Sequence, residues 1–327
     1  MKEIIIAKNE AGQRLDKWLG KYMSKAPKSF FYKMLRKKNI TLNAKKAEGN
    51  EKLGEGDIIR LFLADETIQG FREKVEIVVK KQELDILYED DNILLIHKPV
   101  GVLSQRAKRE DYSLVEMIIS YLTQTNQITL TELETFKPSV CNRLDRNTSG
   151  IVVAGKSLAG LQEMAEVFKN RSLHKYYRCL VKGELKTATN LKGYLVKDEK
   201  TNKVTVTKDL QKGYGSDEAD LIETEYKPIM SANGYTLLEV LLVTGKTHQI
   251  RAHLASIGHP LVGDFKYGDK RLNEKIKQEY GINYQLLHAY RLEFPMMCGI
   301  CKNLSNKVFV CELENEFLNV CNQVLGQ

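Results

Sequence analysis

The stretch 143-RLDRNTSG-150 sets one carboxylate, Asp145, between two guanidinium groups, Arg143 and Arg146. It lies just ahead of the apolar run 151-IVVAG-155. A carboxylate held in such a loop can serve as nucleophile, as general base, or as countercharge to a developing cation. For an isolated RLDR the ordinary reading is a turn whose aspartate pairs with its neighbours. Other strings invite cofactor chemistry but lack its geometry. In 245-GKT-247 a phosphate loop would need glycine at position 240, where valine stands. His248 and His253 are five positions apart, whereas two zinc ligands on one helical face are four apart. Cys298 and Cys301 have C-x-x-C spacing but no second such pair downstream, and no G-x-G-x-x-G fingerprint occurs. Neither ATP, a dinucleotide nor a catalytic metal is expected, and the cysteines read as thiols.

The elements that must hold these groups follow from periodicity. The IVVAG run predicts a short buried strand, followed by a helix capped by Ser157 with Leu158, Leu161, Ala165 and Phe168 on one face. Strand patterns recur at 84–90, 92–98, 173–183, 219–229, 235–243 and 306–313. Many strands without regular helix alternation predict an α+β domain around a mainly antiparallel sheet flanked by helices. Upstream, Leu15, Trp18, Leu19 and Tyr22 fall at helical spacing. So do Phe31, Met34 and Leu35 after Pro27, and short strands follow. The expected division is a small αβ unit over 1–65, a charged linker over 66–83, and a large domain over 84–327.

The net charge of +8 is unevenly spread: residues 1–60 hold 15 Lys+Arg against 7 Asp+Glu, and the remaining 35 basic and 35 acidic residues cancel. A basic unit joined to a neutral body suggests a device for gripping a polyanion. No apolar run approaches the roughly 20 residues that span a bilayer, and the start carries no secretory pattern, so a soluble cytoplasmic monomer is expected.

Taken together, these strings resemble the RluA-type family of pseudouridine synthases, whose signature is H-R-L-D-x-x-T-S-G. Arg143, Leu144, Asp145, Thr148, Ser149 and Gly150 match it. The stretches 87-LYEDDNILLIHKPVGVLS-104, 175-KYYRCLVKG-183, 243-VTGKTHQIRAHLASIGHPLVGDFKYG-268 and 287-LHAYRLEFP-295 are similar to further family motifs in the same order. Two positions depart: Asn142 stands in place of the usual histidine and Lys246 in place of arginine. The first sixty residues resemble the alpha-L RNA-binding module of ribosomal small-subunit protein four, through Arg14, Leu15, Asp16, Leu19, Ser29, Tyr32, Ile40, Gly56 and Asp57.

These resemblances imply a pseudouridine synthase that isomerises uridines in structured RNA, with large-subunit ribosomal RNA as its expected partner. They make Asp145 the catalytic carboxylate, Arg251 its charge partner and Tyr177 the aromatic face for an extruded uracil. Leu287 becomes an apolar pocket wall. Arg143, Arg146, Lys246 and His248 face RNA in the large domain, and Lys28, Lys33, Arg36, Lys37 and Lys38 face it in the small one. No cofactor is implied. The rival readings are an RNA-binding or ribosome-assembly protein that has lost its chemistry, and a base glycosylase, which would release free uracil.

Overall fold

The computed structural model describes residues 1–73, 83–198, 201, 203–207 and 219–326. Its first unit comprises β1 (Lys2–Ile5), α1 (Leu15–Tyr22), α2 (Lys28–Arg36), β2 (Ile40–Leu42), β3 (Lys45–Lys46), β4 (Ile58–Leu61) and α3 (Asp65–Phe71). The strands form an antiparallel sheet in the order β1-β4-β2-β3. The spaced apolar residues of α1 and α2 all enter its core, and the Trp18 indole donates to the buried Glu10 carboxylate at 2.9 Å. Residues 66–83, expected as a linker, open instead with α3. Ile68 is buried in this core and the Phe71 ring lies 4.8 Å from that of Phe30. The charged composition of 64–73 concealed two apolar anchors. Lys74, Lys80 and Lys81 lie outside the described residues.

The second unit is built on an eleven-stranded sheet. Its strands are β5 (Asp85–Glu89), β6 (Ile93–Lys98), β7 (Ser139–Val140), β8 (Ser149–Gly155), β9 (His174–Lys182), β10 (Thr189–Asp198), β11 (Lys203–Thr207), β12 (Ala219–Ala232), β13 (Tyr235–Leu242), β14 (Leu287–Glu293) and β15 (Val308–Val310). The main order is β11-β10-β12-β13-β9-β14-β8-β6-β5, with β7 on β8 and β15 on β14. Every described pairing is antiparallel except β14 with β8. The helices are α4 (Leu114–Gln124), α5 (Leu158–Lys169), α6 (Gln249–Ser256), α7 (Lys270–Tyr280) and α8 (Asn315–Leu325).

Strand periodicity sorts side chains between two faces. Leu94, Ile96, Val152, Ala154, Tyr177 and Cys179 join one core with α4 and α6. Ile93, Leu95, Ile151 and Val153 point the other way, against α5. Further along that second face, Leu180 meets α7 and α8. On α5 the buried residues are Met164 and Val167 with Gly160, while Ala165, expected inward, is exposed. The helix leans on the sheet by an adjacent stripe. The Ser157 hydroxyl caps it, accepting from the Gly160 N–H at 3.0 Å.

The central β8–β14 pairing dictates a glycine. Gly150 has φ +111°, and a Cβ there would lie 2.3 Å from the Ala289 carbonyl oxygen. Only a residue without a side chain lets these strands meet immediately after the Asp145 loop.

Candidate active site

Asp145 sits in the turn between β7 and β8, where the Thr148 N–H bonds back to the Asp145 carbonyl at 3.0 Å. The segment after β6, 98-KPVGVLS-104, straps this loop in place. Ser104 Oγ donates to the Leu144 carbonyl at 2.9 Å and accepts from its N–H at 3.0 Å. The Gly101 N–H donates to the Arg146 carbonyl at 3.0 Å, and Arg146 Nε returns a bond to the Gly101 carbonyl at 3.1 Å. Lys98, with no exposed surface, donates to the carbonyls of Pro99, Val102 and Arg146 at 2.9, 2.9 and 3.1 Å. An ammonium has three protons, and all three are matched here. Burial lowers the Lys98 pKa to about 8, so at neutral pH it remains the charged form that this cradle fits. Asn142 accepts from the Val153 N–H at 2.8 Å, so the departure at this position serves the backbone of β8.

The opposite wall comes from α6, whose start is tied to β12. Gln249 Nε2 donates to the Glu223 carbonyl at 2.9 Å and to Thr224 Oγ1 at 3.0 Å. This anchoring aims Arg251 at two carboxylates. Its Nη1 donates to Asp145 Oδ2 at 2.8 Å, while Nε and Nη2 form a fork on Asp264 Oδ2 and Oδ1 at 2.7 and 2.9 Å. Asp264 is 1% exposed. Burial works against both charges, but the pairing outweighs it: the Arg251 pKa stands above its ordinary value and that of Asp264 below. Asp264 is further held by the N–H groups of Lys266 and Tyr267 at 2.9 and 3.1 Å. Among the described residues, Asp145 Oδ1 has no hydrogen-bond partner.

Asp145, Arg251, Tyr177 and Leu287 line one cleft with Arg143, Thr148, Leu242, Lys246, His248 and Ile250, around roughly 450 Å³ of empty space. Tyr177, on β9, is only 7% exposed, and burial followed by the Asp145 charge pushes its phenol above the ordinary value. It therefore presents a neutral ring and hydroxyl rather than a phenolate.

The residues expected to face RNA are distributed unevenly. Arg143 and Arg146 are both exposed, and of the two Arg143 lines the cleft. Lys246 pairs with Asp220 at 2.5 Å. His248 forms part of the cleft wall, and burial lowers its pKa. Lys28, Lys33, Arg36, Lys37 and Lys38 are all exposed on α2 and the turn after it. His253 is buried, its ring nitrogen 3.0 Å from Thr224 Oγ1 and its pKa pushed down to about 4. Cys301 is buried and Cys298 exposed, and among the described residues no cluster of three or more His, Cys, Asp or Glu could hold a metal ion. Nor, among them, is any helix long and apolar enough to cross a membrane. Sequence reasoning missed Lys98, Asp264 and Tyr267, although each lies inside one of the family-like motifs. A carboxylate thirteen positions beyond an arginine assigned to charge pairing was the available signal.

A sequence model of the family described as RNA pseudouridylate synthase matches residues 92–256. The chain is 33% identical over 302 residues to an RNA pseudouridine synthase of Mycoplasma genitalium, covering 90% of each. It is 31% identical over 292 residues to the ribosomal large subunit pseudouridine synthase C of Haemophilus ducreyi, covering 88% of this chain and 86% of the relative. For the protein of that name from Escherichia coli the identity is 29% over 304 residues, covering 90% and 88%. Among solved structures, human RNA pseudouridylate synthase domain containing 4 superposes with a TM-score of 0.58 at 23% identity, over 73% of this chain and 92% of that one. That likeness concerns the fold.

Proposed function

Because the chain belongs to the RNA pseudouridylate synthase family, we propose that Asp145 is its catalytic carboxylate and that large-subunit ribosomal RNA is its substrate. The observation that carries this reading is the Asp145–Arg251–Asp264 chain on the wall of an open cleft. Arg251 takes Oδ2 of Asp145 and leaves Oδ1 for the sugar. A guanidinium shared with a buried carboxylate has little freedom to swing, so the reacting group is positioned before substrate arrives.

In the isomerisation the sugar–nitrogen bond of uridine breaks, the base turns, and the sugar joins a ring carbon. That carbon releases a proton and the ring nitrogen takes one up, so no redox partner enters. Asp145 Oδ1 meets the sugar, as nucleophile, base or countercharge. Tyr177 offers its ring to the base, with Leu287 and Ile250 as apolar walls. Extruding a base from folded RNA costs roughly a few kcal/mol. The exposed cations of α2, on a first unit that extends through α3, supply backbone contacts that offset this. The protein acts in this reading as a monomer in the cytoplasm.

The test is Asp145→Asn. It should bind large-subunit ribosomal RNA with unchanged affinity and form no pseudouridine. Product at the wild-type rate would remove Asp145 from the chemistry, and free uracil in place of pseudouridine from the wild-type enzyme would identify a glycosylase.

A further inference from the structure

Tyr267 and His248 take no part in the bond changes of the isomerisation, yet they form a directed chain ending at the reacting carboxylate. The Val204 N–H of β11 donates to the Tyr267 hydroxyl oxygen at 3.0 Å. On its other side that hydroxyl lies 2.9 Å from His248 Nδ1. A phenolic oxygen already accepting from a peptide still has its own proton to give, and Nδ1 is the one acceptor at hand among the described residues. The imidazole is neutral, since burial lowers its pKa. If Nδ1 accepts, the ring hydrogen must sit on Nε2. That nitrogen lies 3.8 Å from Asp145 Oδ2, the oxygen Arg251 already holds at 2.8 Å.

We propose that Tyr267 and His248 are positioning residues for the isomerisation. Tyr267 sets the tautomer of His248, so that the Nε2–H dipole faces Asp145 Oδ2 and leaves Oδ1 for the sugar. This rests on the assignment of Asp145 as the reacting group. The 3.8 Å separation exceeds a hydrogen bond, so His248 acts as an oriented dipole, which keeps its full effect in a partly dehydrated cleft. Tyr267 has a second duty, because its ring lies 5.1 Å from the Arg251 guanidinium. Phenylalanine would keep that contact and remove the hydroxyl, which is both the proton donor to Nδ1 and the acceptor of the Val204 N–H. The role also distinguishes His248 from the exposed Arg143 and Arg146, as its side chain is largely withdrawn from solvent.

The test measures single-turnover pseudouridine formation and binding affinity on large-subunit ribosomal RNA from cells lacking this protein. Tyr267→Phe should slow product formation about three- to tenfold, the worth of one neutral hydrogen bond, with affinity within about twofold of wild type. The His248 variants separate an oriented donor from a merely conformational role. His248 has φ +54°, a left-handed backbone that asparagine tolerates better than glutamine. Glutamine, however, places its amide N–H near the position of Nε2, whereas asparagine reaches only the position of Nδ1. The proposal requires His248→Gln to outpace His248→Asn. The reverse order, or Tyr267→Phe at the wild-type rate beside an inactive Asp145→Asn, overturns it. Should Asp145→Asn itself keep the wild-type rate, the underlying assignment fails first and is recognised separately.

Discussion

Asp264→Asn changes one atom type in a group that is almost wholly withdrawn from the surface, and the structure predicts that it disables the enzyme. The wild-type carboxylate accepts from Arg251 Nη2, Lys266 N and Tyr267 N on Oδ1 and from Arg251 Nε on Oδ2. An asparagine keeps most bonds by turning its carbonyl toward the three donors, which sets its amide N–H against Arg251 Nε. One charge-assisted bond becomes a donor–donor clash at a site 1% exposed, and the surviving bonds no longer have a negative charge behind them. Bonds to charged groups contribute about 1.5–3 kcal/mol each, so the variant should be about 2–3 kcal/mol less stable. Relieving the clash turns the guanidinium and carries Nη1 away from Asp145. A displacement of about 1 Å at a positioning group can cost about 100-fold, so turnover should fall about 10- to 100-fold with little change in RNA affinity.

The stability difference also has a defined pH dependence. Burial opposes ionisation of Asp264, but Arg251 and the two peptide N–H groups hold its folded pKa below the ordinary value. The unfolded chain therefore binds the proton more tightly than the folded one. The stabilisation is complete above the unfolded value of about 4 and disappears as pH falls through the lower folded value. Urea midpoints of wild type and variant should thus differ fully at neutral pH and converge in acid. A variant with wild-type turnover, or an equal midpoint at neutral pH, would refute the claim that Asp264 aims Arg251.

Gly150→Ala should cost at least about 3 kcal/mol, because the new methyl meets the Ala289 backbone at 2.3 Å and φ +111° is closed to alanine; an unchanged melting temperature would contradict the tight β8–β14 approach. Reversing charge at Lys33, Arg36 and Lys37 should weaken RNA binding and flatten the plot of log affinity against log salt by about 0.7–0.9 for each phosphate that is no longer neutralised. Filter binding across a salt series measures this, and an unaltered slope would mean that RNA does not lie along α2.

Much of the architecture was legible because it is written in short-range patterns. Strand-like apolar runs at 92–98 and 235–243 became β6 and β13, and the apolar spacing of 15–22 became the buried face of α1. Where local composition misled, long-range packing was responsible. Only contact with the first core makes Ile68 and Phe71 anchors of α3. Helix α4 was overlooked although Ser113 and Glu116 form a capping box just before the apolar run 114-LVEMIISYL-122. Strand β14 was seen as a motif, while its place between β8 and β9 depends on neighbours more than a hundred residues upstream.

The site divides along the same line. The sequence by itself determined that Asp145 occupies a polar turn ahead of a buried strand, that the positive charge gathers at one end, and that two arginines flank the carboxylate. Turn chemistry and charge composition act within a few residues of one another, so a linear reading captures them. Arg251, which the family resemblance had named as charge partner, reaches the carboxylate from 106 positions away, a contact that composition and spacing alone could not reveal. Tertiary structure alone decided that Lys98 secures the loop from 48 positions upstream, and that Tyr267 reaches Val204 across 63. Such partnerships depend on strand order and on the tie between α6 and β12, which bring distant segments within hydrogen-bond distance only once the sheet has formed.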